Sequence, residues 1–314
     1  MPLTYTAEEL IETVRLLGML PSVGEIGQDD DDVVRHLSEF LKSRLVPEMI
    51  RIREEYYVVT ERLPLSGSVS RYRIPARAVG NRLRDVLFVT AAGDRRTIWP
   101  IPRERLAAYN TSGTTTEPTG YYLEGNRIVL VPALGAAAGW LELSYFFRPG
   151  DLVKSTQARQ VYAIPNSPAN TVTFTTSVPA SWVAGIHVDI HSGMSGAEIK
   201  IWDKEAVVAG ANYLTFTDAI DGTVFGTDEV VPGDWVCMTG EAAVPGVPLE
   251  LHPILARGAC LRLATALNDK ESIEIHSKFL QDEMRGALAI VENRIEGRPL
   301  TISTEGAIVW EGGW

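Results

Sequence analysis

Apolar residues recur along this chain with two different periods, and the switches between them divide it. Thr6-Ala7-Glu8-Glu9 has the form of a capping box, in which the Thr6 hydroxyl accepts from the Glu9 amide while Glu9 reaches back. Leu10, Val14 and Leu17 follow at helical spacing, which predicts a short amphipathic helix ending near Gly18. A loop bearing Pro21, Gly24 and Gly27 leads to Asp29-Asp30-Asp31-Asp32, and then Val34, Leu37, Leu41 and Leu45 line one face of a second helix. Pro47 either kinks that helix or starts a new turn through Met49, Ile50 and Ile52.

From Tyr56 the period shortens. Tyr56 to Thr60 and Val69 to Ile74 read as strands separated by a Gly/Ser turn, and Val86 to Val89 meets Ile98 to Ile101 across the turn Ala92-Gly93-Asp94. A short helix is expected from Pro102 to Tyr109, and Thr111 to Thr119 reads as a polar loop. The clearest hairpin joins Tyr121-Tyr122-Leu123 to Arg127 through Val131 over Glu124-Gly125-Asn126, and a further strand runs from Trp140 to Phe146. Residues 151–247 are rich in Thr, Val, Ala and Gly, with short alternating runs at 171–175, 186–190, 197–201, 213–217 and 235–238. Runs at that spacing predict a small antiparallel sandwich or barrel. Helical spacing returns after Pro248, first along Leu251, Ile254, Leu255, Ala259 and Leu263, then along Ile273, Leu280, Met284, Leu288 and Val291. The short connection at Asn268-Asp269 predicts an antiparallel helix pair.

The fold class expected is therefore α+β. A helical bundle core from the N- and C-terminal helices carries an antiparallel β meander, an inserted small all-β domain and an extended C-terminal tail. The division is 1–150, core helices and meander; 151–247, the inserted all-β domain; 248–298, the C-terminal helix pair; and 299–314, the tail. The tail holds Ile302, Ile308, Val309, Trp310 and Trp314, too apolar for a solvated end, and docking onto another subunit or partner by strand addition would bury them. Folding back on its own subunit is the other reading.

Composition narrows the function. With 314 residues, 45% hydrophobic and 22% charged, the chain has the make-up of an ordinary globular protein. A formal net charge of -11 argues against a broad nucleic-acid grip, though not against a wall past which DNA slides. Cys237 and Cys260 are far apart in sequence and fit two reduced, buried thiols. Neither a signal peptide nor an apolar run of membrane-spanning length is present.

The chemistry-bearing sets are few. Phosphate-cradling glycine loops and a G-x-S-x-G elbow are missing. His187, Asp189 and His191 alternate to one face of a strand, where they could hold a divalent metal, yet a face meeting solvent or a neighbouring subunit has the same pattern. Asp29 to Asp32 favour a helix start over a metal site, and Asp218, Asp221 and Asp228 fit turn formation over calcium binding. His36, His252 and His276 are expected at the surface or an interface of helices. Trp182, Trp202 and Trp235 are candidates for glycan contact, with a sandwich core as the other place for them. No catalytic residue, metal ligand or cofactor is expected, and the chain is read as non-enzymatic.

The hairpin Tyr121 to Pro132 and the following Leu141 to Pro149 resemble phage head-to-tail adaptor proteins. The C-terminal helical pair and Glu292 to Pro299 resemble the end of the longer members, so the likeness covers the outer helices and the sheet. The resemblance implies a structural virion protein at the neck, made in the host bacterial cytoplasm. It implies a homo-oligomeric ring, typically of twelve, below the portal protein. That ring extends the DNA channel and carries the next neck or tail protein, while DNA passes without specific binding.

Overall fold

Thr6 caps α1 (Ala7–Leu17): its hydroxyl accepts from the Glu9 amide, and the Glu9 carboxylate accepts from the Thr6 amide at 2.7 Å. The computed structural model describes residues 6–18, 29–66, 69–109, 114–115, 117–135, 139–165, 170–193, 198–224 and 228–291. Asp30, Asp31 and Asp32 occupy the first turn of α2 (Asp30–Phe40), where the helix dipole favours carboxylates. They also tie the helix down. Asp30 pairs with Arg15 of α1 at 2.5 Å, and Asp31 with Lys154 at 2.6 Å. The helix continues through a π-helical turn, Leu41–Leu45, into α3 (Val46–Ile52) with Pro47 in its first turn. Pro47 has no N–H to donate, and the wider π turn before it spares the ladder that donor.

α4 (His252–Leu267) and α5 (Lys270–Val291) join across Asn268, whose left-handed φ of 57° closes α4. Buried residues surround most of α4, including Leu255, Ala259, Cys260 and Leu263, because it packs against α1, α2 and α5 together. Leu10, Val14, Leu37, Leu41, Met49, Leu255 and Leu263 belong to one apolar cluster, so helices from the two ends of the chain share a core.

The β elements before residue 148 form two four-stranded sheets. The first contains β1 (Val58–Pro64), β3 (Ala78–Thr90), β4 (Arg95–Thr97) and β10 (Gly139–Phe147), in the order β1-β10-β3-β4. The second contains β2 (Arg71–Arg73), β5 (Trp99–Pro100), β7 (Gly120–Glu124) and β8 (Arg127–Val131), in the order β2-β8-β7-β5. The two-residue strands β6 (Thr114–Thr115) and β9 (Ala133–Leu134) pair beside them. One cluster holding Phe88, Leu141, Leu143 and Tyr145 from the first sheet and Tyr72, Ile128 and Leu130 from the second packs the two together.

This is not the expected meander. β1 pairs with β10, some 80 residues later, while β2 joins the other sheet. The split lets each sheet bury one apolar face against the other, which a single meander could not do. Tyr56 and Tyr57 lie in a 3-10 turn rather than a strand, and Tyr57 joins the helical core with its hydroxyl donating to Gly246 O at 2.7 Å. The hairpin over residues 91–94 forms, but β4 ends at Thr97 and Trp99-Pro100 cross to the second sheet. β3 starts eight residues before Val86, and one of the two register shifts between it and β10 spans Gly80 and Asn81, both with positive φ.

The chain leaves along β11 (Asp151–Leu152) and returns along β18 (Glu241–Ala242), which pair in parallel. Between them β12 (Arg159–Ala163), β13 (Thr171–Phe174), β14 (Ile186–His191), β15 (Ile199–Ala209), β16 (Tyr213–Phe216) and β17 (Trp235–Met238) close a barrel in the order β12-β13-β16-β15-β14-β17. Closure removes exposed strand edges, and Val172, Val188, Ile190, Ile201, Leu214 and Val236 fill the interior. The exit and return are fastened to the helices. The Leu152 amide donates to Ser38 Oγ at 2.8 Å, Lys42 pairs with Asp151 at 2.6 Å, and the Ala7 amide donates to Ala243 O at 3.0 Å. The whole is a mixed helix-and-sheet protein. Among the described residues no helix is long and apolar enough to cross a membrane.

Candidate functional site

His187, Asp189 and His191 do share the outward side of β14, because Ile186, Val188 and Ile190 point into the barrel. That side meets the protein's own sheets. Asp189 is fully buried: its Oδ2 accepts from Arg77 at 2.6 Å and from the Gly240 amide at 3.0 Å, and its Oδ1 from the Asp203 amide at 2.8 Å. Arg77 also donates to Arg148 O and lies 4.4 Å over the ring of Phe147, against which Trp202 of β15 packs edge-on. The residues therefore fix the barrel to the first sheet. His191 is buried beside them with Nε2 3.2 Å from Glu241 O, and burial lowers its pKa. His187 is half exposed and pairs with Asp203. Among the described residues no group of three or more His, Cys, Asp or Glu is arranged to hold a metal ion.

The other singled-out residues divide by burial. Of the two places expected for the helical histidines, His252 and His276 take the interface, being buried where their helices pack, and His36 is partly buried. Trp182 caps the barrel interior edge-on to Phe174, Trp202 packs on the sandwich core, and Trp235 packs on a small cluster with Val153 and Cys237. Trp182 is buried, and Trp202 and Trp235 are partly buried in these contacts. Asp218 pairs with Lys204, and Asp221 accepts from the Thr223 amide and hydroxyl, which is turn chemistry. Cys237 and Cys260 are buried free thiols, and burial raises both, Cys260 to about 11. Ile302, Ile308, Val309, Trp310 and Trp314 lie outside the described residues.

Two surface features were not legible in the spacing. A cleft of about 530 Å³ runs between the first sheet and the barrel, lined among others by Glu61, Arg62, Trp140, Tyr145 and Trp202. Tyr145 donates to Glu61 at 3.0 Å, and burial raises the carboxyl's pKa. The second feature is a set of arginines on the outer faces of the sheets. On the first sheet Arg62 and Arg95 flank buried Glu142, at 2.6 and 3.3 Å. On the second, Arg73 stands directly opposite Arg127, while Arg71 and Arg103 share Glu124 at 3.5 Å each. The pairings Arg73–Arg127–Glu124 and Arg71–Val129–Tyr122 place these side chains on the face away from Tyr72, Ile128 and Leu130.

A family profile described as SU10 adaptor protein matches residues 5–221. No curated protein matches the chain. The match takes in α1 to α3, both sheets and β12 to β16, and stops before α4. The likeness traced in the sequence to the C-terminal helix pair lies beyond it, and most of the barrel, left out of that likeness, lies within it. Covering more than half of the chain, the match shows that this protein belongs to the SU10 adaptor protein family, among the phage head-to-tail adaptors that its hairpin and strand resemble.

Proposed function

We propose that copies of this chain assemble into a ring, twelvefold in symmetry, below the portal. There the ring extends the DNA channel, joins capsid to tail and offers a platform to the next neck or tail protein. The family match over residues 5–221 carries this reading. It is supported by the build of the subunit, in which buried charge goes into fastening one part to another, as at Arg77–Asp189 and Lys200–Asp234. The protein works without catalysis, and a chain of net charge -11 lets DNA pass without holding it. Residues 151–247 act as a unit inserted into a core made of 1–150 and 248–298. The tail, 299–314, docks through Ile302, Ile308, Val309, Trp310 and Trp314 onto a neighbouring subunit or the portal.

Deleting residues 299–314 tests the docking. The truncated chain is expected to keep its melting temperature and lose its place on the portal, read by co-sedimentation of purified components. Unchanged portal binding would contradict the assignment.

A further inference from the structure

We propose that the arginine-bearing outer face of the second sheet is where one copy of this chain grips the acidic surface of the next; this rests on the ring reading above. The charge of the chain is sorted by region. Residues 58–150 hold twelve arginines and no lysine against seven carboxylates, an excess of +5. The chain as a whole is at -11, so the remaining residues carry -16, and all six lysines lie among them. A molecule basic on one part and acidic on the rest is complementary to its own copy in a head-to-tail contact. Head-to-tail contacts generate rings when the rotation between copies closes.

The local geometry picks out the face. Arg73 and Arg127 are exposed and directly opposed across β2 and β8, and like charges so placed oppose the pairing. Neither has an ion pair among the described residues, and the neighbouring Arg71 and Arg103 divide one carboxylate between them. Carboxylates from outside the subunit would relieve all four. Trp99, on the edge strand of the same sheet, is 69% exposed and supplies an apolar anchor of the kind that centres protein interfaces. The exclusive use of arginine fits a carboxylate partner, since the guanidinium fork pairs carboxylates two bonds at a time. A duplex is the weaker occupant, because Glu124 sits among the arginines and the net charge of the chain repels phosphate.

Sedimentation velocity of the full chain over a range of salt concentrations tests this. The variants are Arg73→Glu/Arg127→Glu, Arg103→Glu as an independent second change, and Arg73→Lys/Arg127→Lys to keep the charge, with thermal unfolding as the control for folding. The wild type is expected to associate at low salt and to dissociate as salt rises. The glutamate double variant should associate at least tenfold more weakly, Arg103→Glu should weaken in the same direction, and the lysine variant should stay near wild type. Glutamate variants that associate like wild type overturn the inference and leave the ring reading standing. A wild type that stays monomeric at every salt concentration removes both. Duplex DNA retarded by the wild type and released by the glutamate variants, with self-association intact, would give the face to nucleic acid instead.

Discussion

Asp189 shows how a residue's chemistry is decided by what its strand faces. Three polar side chains alternating on β14 have the same sequence pattern whether they bind metal or pack on another sheet; here Arg77 arrives from 112 residues away and settles which. Removing one partner of a buried pair leaves an uncompensated charge, so Asp189→Ala is predicted to lower unfolding stability by about 3–5 kcal/mol. Denaturant unfolding measures this, and a loss below about 1 kcal/mol would mean that the junction is held by packing alone. His252 makes a second residue-scale prediction. Burial pushes it down to about 4, with its Nε2 3.2 Å from Val247 O. Between the ordinary histidine pKa and that value the unfolded chain binds a proton that the folded chain refuses, so stability is full at neutral pH and falls as pH drops through that window. The shift corresponds to about 3 kcal/mol. The melting temperature should therefore drop between pH 7 and pH 5, and His252→Gln should flatten that drop. An equal pH slope in the variant would contradict the assignment.

At the scale of elements, the helices were the most legible part. Their spacing, the Thr6 capping box and the Asn268 break all report local physics, and the structure has helices at each. What spacing could not give is which helix lies in the middle. α4 takes that place through Gly258, where an added Cβ would stand 2.3 Å from the ring of Phe40 on α2. Gly258→Ala should accordingly destabilise the fold by about 1–3 kcal/mol through overpacking, although alanine is the better helix former. A thermally neutral or stabilised variant would show that the Phe40 ring moves aside freely. The strands were legible as segments but not as partners. β12 carries no strand signal in its spacing because Val161 is its one buried inward residue, so no alternating apolar run marks it. β1 and β2 gave a hairpin signal locally, yet each finds its partner across a long separation, which no turn residue announces.

For the whole molecule, the sequence showed the order of helices, β segments and a sandwich- or barrel-like block, but neither the division into two sheets nor the junctions. Those are made by Arg77, Ser38 and Lys42, each unremarked in its own segment and informative only once its partner is in place. The adaptor reading was carried by the order and composition of the hairpin and strand, and the family match extends that likeness into the barrel. The sorted charge, basic sheets within an acidic chain, gives a structural adaptor a physical means to find its own copies. The most direct measurement is an image of the neck of the assembled phage particle, with this subunit located in it by a tag. The account predicts a closed ring of copies, twelve in number, seated on the portal around the DNA channel. A subunit found at the baseplate, or at the neck as single copies without ring contacts, would contradict it.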